Sequence, residues 1–354
     1  MKIAFINTHL GRTGGVNNMV LDMVTIFSAH GHDCTLYYFE THEPEMAFPC
    51  KCVKIRMRDQ IDFSSYDVVH AHGIRPNAYI LWHKPIKKIK TRFIATLHCY
   101  VFQDFRDLYG PIKGFFGSFL FLLAPIRFDK LVCLSKDAMK YYRPWFWYKK
   151  MTYAYNTRQM DMSMDLNAEE LEEVEKFKGN HILIGMNCVL ILRKGIDIML
   201  KALEKLPDDY RLIVAGGYPS TQFKALWEEM KARLGERVKF LGMRKDAYRY
   251  LKYYDIYVLA SRSEGFPLAL VEASGYSKKI ACTSLKQLKE VFSENDVAYC
   301  EPGDVNSLVK AIQKIRLQND AGKKARHKYE EYLSPEMFYE RYLSIYEGRD
   351  QLEY

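Results

Sequence analysis

Between Lys2 and Cys300 the chain passes repeatedly from short apolar runs to segments whose apolar residues return at helical spacing. Lys2–Asn7 reads as a buried strand. Val16, Met19, Val20, Met23, Val24 and Phe27 then recur every three or four positions, and Gly31 closes that helix. Further strands fit Cys34–Phe39, Asp67–His70, Phe93–Leu97 and Leu131–Ser135. A second series starts near His181, with Ile182–Gly185, Arg211–Ala215, Val238–Leu241, Ile256–Ala260, Lys279–Cys282 and Val297–Cys300. Helical segments such as Ile196–Lys205 and Gln222–Leu234 separate them. This alternation predicts an α/β protein, and two series of strands predict two doubly wound domains. The expected division is 1–160, 161–334 and a last aromatic-rich helical segment, 335–354.

A chain of 354 residues suits two domains, and 48% hydrophobic content is enough for two cores. The eight cysteines show no paired metal spacing, since Cys50 and Cys52 stand one residue apart with no second pair nearby. Free thiols in a reducing cytoplasm are expected. Met1–Asn7 lacks the apolar core of a signal peptide. The longest apolar candidate, Phe115–Ile126, falls short of the roughly 20 residues of a spanning helix and contains Pro125. Net charge is +9, and its location matters: Lys84–Lys150 holds 14 Lys and Arg against 4 Asp and Glu. That local excess of +10 leaves −1 for the rest of the chain. It calls for an anionic partner.

The segment with most chemistry is Ser261-Arg-Ser-Glu-Gly-Phe-Pro-Leu-Ala-Leu-Val-Glu272. It follows the apolar run Asp255–Ala260 and places Glu264 and Glu272 eight positions apart across Gly265-Phe266-Pro267. Pro267 suits a first helical position, where its missing N–H costs nothing. The order is therefore strand, loop carboxylate, helix start and second carboxylate. Open N–H groups near Phe266–Leu268 suit a phosphate, and the flanking carboxylates suit hydroxyls. A nucleotide sugar carries both.

This segment resembles the E-x7-E signature of retaining GT-B glycosyltransferases, the large family 4-like group that includes bacterial lipopolysaccharide and capsule enzymes. The resemblance implies a GT-B fold, with two Rossmann-like domains facing a crevice and a C-terminal helix crossing back to the N-terminal domain. It also implies transfer of a hexose from a UDP- or GDP-linked donor to a glycan or lipid-linked acceptor, by front-face attack and without a bound metal or cofactor. Glu264 would hold sugar hydroxyls and Glu272 ribose hydroxyls. Lys194, with Arg193 in the place of the family's arginine, would stabilise the departing diphosphate. Gly14 and Gly15, in Gly11-Arg-Thr-Gly-Gly15, match the family's loop over the donor phosphates. His98, ending a strand, matches a histidine that contacts the donor sugar; a structural histidine fits the position equally. His70 and His72 close another strand, near the acceptor. The family's Gly-rich loop here reads Thr283-Ser-Leu-Lys-Gln-Leu-Lys-Glu290, without glycine.

Phe115–Ile126 and Trp145-Phe-Trp-Tyr148, interleaved with Lys and Arg, suit an anionic membrane surface. A core edge with solvated charges is the other reading. No recognition motif accompanies the charge, so nucleic acid is not expected as a partner. A peripheral location on the inner face of the cell membrane follows from these readings. Two other classes remain at this point. A sugar-nucleotide epimerase or dehydrogenase would need a G-x-G-x-x-G fingerprint, which Gly11–Gly15 does not supply. A non-catalytic nucleotide-sugar or membrane-binding protein would bind without turnover.

Overall fold

The structure, a computed structural model, describes residues 1–11, 14–39, 47–147, 150–217 and 221–349. Arg12 and Thr13 of the Gly11–Gly15 loop, Tyr148 of the aromatic run and the end of the 335–354 segment lie outside them. The chain divides into two compact units, one of Met1–Gln159 with the segment from Pro335 onward, the other of Met160–Ser334.

Unit 1 runs β1 (Lys2–Asn7), α1 (Gly15–Ala29), β2 (Asp33–Tyr38), β3 (Lys51–Lys54), β4 (Val68–His72), α2 (Ile74–His83), β5 (Arg92–Leu97), α3 (Val101–Tyr109), α4 (Pro111–Leu123), β6 (Lys130–Cys133), α5 (Lys136–Tyr142) and β7 (Met151–Tyr153). Its seven strands are all parallel, in the order β3-β2-β1-β4-β5-β6-β7. Strands buried on both faces read as continuous apolar runs, which is why Ile3–Ile6 carries no alternation and is wholly buried. Strand β3 is an addition to the sequence reading: Lys-Cys-Val-Lys is a half-exposed edge strand with too few apolar residues to signal itself.

Unit 2 runs α6 (Ala168–Lys178), β8 (Ile182–Asn187), α7 (Ile196–Lys205), β9 (Tyr210–Ala215), α8 (Thr221–Leu234), β10 (Val238–Gly242), β11 (Ile256–Leu259), α9 (Leu268–Gly275), β12 (Lys279–Thr283), β13 (Ala298–Cys300), α10 (Val305–Leu317) and α11 (Ala321–Lys328). The strand order is β10-β9-β8-β11-β12-β13, again all parallel. Helix α7 shows why the pieces assemble. Ile196, Met199, Leu200 and Leu203 form one stripe at helical spacing, and that stripe joins β8 and β9 in the core through Ile184, Met186, Leu212 and Val214.

The last helix, α12 (Pro335–Glu347), belongs to unit 1. Phe338, Tyr342, Ile345 and Tyr346 face the cluster that holds Met19, Met23 and Phe27 of α1. The Tyr346 hydroxyl lies 2.7 Å from His70 Nδ1, which anchors the helix to the sheet.

Candidate active site

In unit 2 the strand order reverses between β8 and β11, which are paired directly through Ile184 and Ile256. Their outgoing connections run to opposite sides. The gap left at their carboxyl ends is where doubly wound sheets take ligands. Arg193 and Lys194 follow β8; Ser261–Glu264 follow β11. One topological position therefore collects both segments.

The turn Leu192–Lys194 ends at Gly195, whose φ is 69°. A Cβ on Gly195 would lie 1.9 Å from the Ala260 carbonyl oxygen. Only glycine permits both the left-handed backbone and that approach, so Gly195 lets the turn press against the end of β11. The result is a tight cluster around Glu264, which is only 6% exposed. Glu264 Oε1 accepts from Lys194 Nζ at 2.5 Å and from Ser261 Oγ at 2.6 Å. Arg193 Nη1 stands 3.9 Å from Oε2.

The backbone around the carboxylate is held as firmly. Gln287 Nε2 donates to the Glu264 carbonyl at 2.6 Å, and Thr283 Oγ1 donates to the Ser261 carbonyl at 2.8 Å. Arg193 Nη1 donates to the Ser263 carbonyl at 3.3 Å. Arg262 grips both carboxylate oxygens of Asp197 on α7, at 2.8 and 2.7 Å, a bidentate pair that fixes the loop to the helix. Its backbone N–H donates to the Arg193 carbonyl at 2.8 Å. Ser261, Thr283 and Gln287 were not among the site residues expected from sequence. Thr283 and Gln287 belong to the loop that has no glycine, and the structure uses that loop as a brace for Glu264.

Glu272 is mostly buried on α9, little more than one turn into the helix. One expectation needs correction: Pro267 is the N-cap of α9, not its first residue, and the helix begins at Leu268. The Pro267 carbonyl accepts from Leu270 and Val271 N–H. Leu268 and Ala269 N–H have no backbone partner among the described residues, so this helix start has donors to offer. Gly265 is half-buried between Glu264 and that helix start.

In unit 1 the order reverses between β1 and β4. Gly14, with φ of 119°, caps α1, and Gly15 is its first residue. Asn17 braces the loop beside them: its amide accepts from Asn7 Nδ2 at 2.9 Å and donates to the Gly11 carbonyl at 2.9 Å. His98 follows β5 and shares a hydrogen bond of 3.1 Å with His72 Nδ1. Burial pushes His98 down to about 4 and holds His70 and His72 well below the ordinary imidazole range, so all three are neutral near pH 7. His70 is a core residue, with its two ring nitrogens on Tyr346 and Thr96. Among the described residues no three His, Cys, Asp or Glu side chains are grouped to hold a metal ion.

Residues 167–333 match the family model described as glycosyl transferases group 1. Over 303 residues the chain is 30% identical to the O-antigen biosynthesis glycosyltransferase WclY of Escherichia coli, covering 83% of each protein. The chain is a group 1 glycosyltransferase. Its fold also matches sucrose-phosphate synthase from Thermosynechococcus elongatus, with a TM-score of 0.81, 17% identity and 98% of each chain covered. It matches Anabaena HepE, solved with UDP-glucose, with a TM-score of 0.78, 15% identity, and 98% of this chain and 100% of that one covered. Its two parallel α/β domains are those of the GT-B fold. In this glycosyltransferase the unit that matches the family model also holds the Lys194–Glu264 cluster. Its chemistry divides in two. Lys194 and the open N–H groups of Leu268 and Ala269 can receive a phosphate, while Glu264 and Glu272 can accept from hydroxyls.

Proposed function

We propose that this glycosyltransferase moves a hexose, with retention at the anomeric carbon, from a UDP- or GDP-linked donor to a glycan or lipid-linked acceptor in cell-surface polysaccharide synthesis. The observation that carries the reading is the Lys194–Glu264 pair at the β8/β11 reversal. WclY is named for O-antigen biosynthesis, and HepE was solved with UDP-glucose, which supports the substrate class.

The donor enters with its diphosphate at Lys194 and at the Leu268 and Ala269 N–H groups, and with its sugar hydroxyls at Glu264. Glu272 takes the ribose hydroxyls. The bond from C1 to the phosphate oxygen breaks, and its electron pair leaves with the diphosphate, where Lys194 and Arg193 balance the new charge. The acceptor oxygen bonds C1 on the same face, and its proton passes to the departing phosphate. In unit 1, His98, neutral at working pH, offers a hydrogen bond to substrate, and the Gly14–Gly15 loop offers backbone contacts. No metal takes part. The enzyme works in the cytoplasm, peripherally on the inner face of the cell membrane.

The test is incubation with UDP- and GDP-hexoses and a polyprenyl diphosphate-linked acceptor, reading nucleoside diphosphate release and the anomeric configuration of the product by NMR. An inverted product removes the retaining mechanism. Donor binding without acceptor-dependent release removes the proposed transfer.

A further inference from the structure

Helix α4 turns most of its large side chains outward. Its protein-facing side buries Gly114, Ser118, Phe121 and Leu122, and a Cβ on Gly114 would lie 2.5 Å from the Phe105 carbonyl of α3. Ser118 Oγ donates to the Gly114 carbonyl at 2.8 Å and to the Val101 carbonyl at 3.3 Å. Most of the bulk points the other way. Ile112, Phe115, Phe116, Phe119, Leu120 and Leu123 recur at helical spacing, and all are exposed, Phe116 to 66% and Leu120 to 67%. Scattered apolar residues on a surface need no explanation, but a continuous stripe does. The stripe continues onto Trp145, whose ring lies 5.9 Å from Phe119 and 4.9 Å from Phe102.

Cations rim this stripe. Lys113 is exposed at its start. Past its end, Arg127 donates to the Leu81 and Pro85 carbonyls, and this holds the loop bearing exposed Lys87 and Lys88 beside Ile126. Two residues before Trp145, Arg143 joins Lys140, Met139, Pro144 and Trp147 around an open groove of about 520 Å³. The side chains of Lys140 and Arg143 have no hydrogen bond or ion pair among the described residues, and Trp147 is 78% exposed. No described helix is long and apolar enough to cross a membrane, and α4 has 13 residues.

We propose that the outer face of α4 is a membrane-docking surface for anionic phospholipid, with its aromatic and leucine side chains among the acyl chains and the Lys140–Arg143–Trp147 groove seating a lipid phosphate. An anionic bilayer matches the stripe and the unpaired cations around it together. The inference rests on the peripheral location proposed above and gives it an address in the fold.

The experiment uses the full chain with phosphatidylcholine vesicles, with and without phosphatidylglycerol, read by co-sedimentation and by quenching of tryptophan fluorescence by brominated lipid. The wild type should bind the anionic vesicles, be quenched by them, and release as salt is added. Phe116→Ser with Leu120→Ser, and separately Lys140→Glu with Arg143→Glu, should each weaken binding at least about tenfold. Lys201→Glu with Lys310→Glu, the same charge change in the other unit, should leave it unchanged. A nucleotide-induced melting shift retained in every variant shows that each is folded and keeps the donor reading separate from this one. Absence of wild-type quenching overturns the proposal, as does a Phe116/Leu120 variant that binds like wild type. A dimer that this variant dissolves, without vesicle binding, assigns the face to a second copy of the chain and also overturns it.

Discussion

Lys194 Nζ sits 2.5 Å from Glu264 Oε1, and Ser261 Oγ crowds the same oxygen at 2.6 Å. The phosphate-binding cation and the hydroxyl-binding carboxylate of the proposed donor site are thus each other's partners. A pair this sheltered satisfies both charges, so ligand groups must share Lys194 and Glu264 with the contact between them. Donor phosphate and donor sugar then compete with one internal contact.

That competition predicts opposite effects on nucleotide and on turnover. Glu264→Gln removes the internal rival for Lys194, so free nucleoside diphosphate should bind as tightly as to wild type or tighter. Sugar transfer should fall by the equivalent of about 2–4 kcal/mol, because sugar hydroxyls lose a charged acceptor in a sheltered site. Calorimetry of the diphosphate beside steady-state rates checks both halves. Activity within about threefold of wild type would show that Glu264 is not a sugar contact.

Lys194→Ala tests the leaving-group role. Charge on the diphosphate grows toward the transition state, so kcat should fall more than KM rises. An unchanged kcat with a raised KM would place Lys194 in ground-state binding alone.

Gly195→Ala should damage the site through its backbone. The methyl group meets the Ala260 carbonyl, and a φ of 69° strains any L side chain. A loss on the order of 2 kcal/mol or more in denaturant unfolding is expected, with activity reduced alongside. A fully stable, fully active variant would contradict the close packing of this turn on β11.

Metal independence is checked by chelation. Transfer rates should be the same in excess EDTA as without it. Activity lost there and restored by magnesium or manganese would require an ion in place of the Lys194 and Arg193 charges.

Lys278 gives a pH signature. Its ammonium donates to the Lys252 and Tyr254 carbonyls at 3.2 and 3.1 Å, yet burial pushes it down to about 8. An unfolded lysine titrates near 10.4. Between those values the unfolded chain binds the proton that the folded chain has shed, so this residue's contribution to stability rises with pH over that window and is at its lowest below about 8. The stability of wild type minus that of Lys278→Met, from urea titrations at several pH values, should increase from pH 8 upward. A flat or falling difference would rule the shift out.

Much of this protein could be read from its residues in order. Buried parallel strands need unbroken apolar runs, and helices beside them need a repeating stripe, so Lys2–Asn7 and Ile182–Asn187 and the helices that follow them declare themselves locally. The Glu264–Glu272 spacing and the Lys194-Gly195 step were equally visible, because chemistry tied to a loop next to a strand is written in a few adjacent residues. Tertiary structure alone decided what lies far apart in the chain. Strand order put Lys194 and Glu264, 70 residues apart, at one reversal of the sheet. Gln287 became a brace for Glu264 only through the packing of a loop whose own sequence gives no sign of it. Strand β3 borrows its order from β2, and a short polar edge carries no pattern of its own. The apolar residues of α4 show the limit best: spacing says which of them share a face, but only the close contact of Gly114 with α3 decides that Phe121 and Leu122 face the core while Phe115, Phe116, Phe119 and Leu120 face outward.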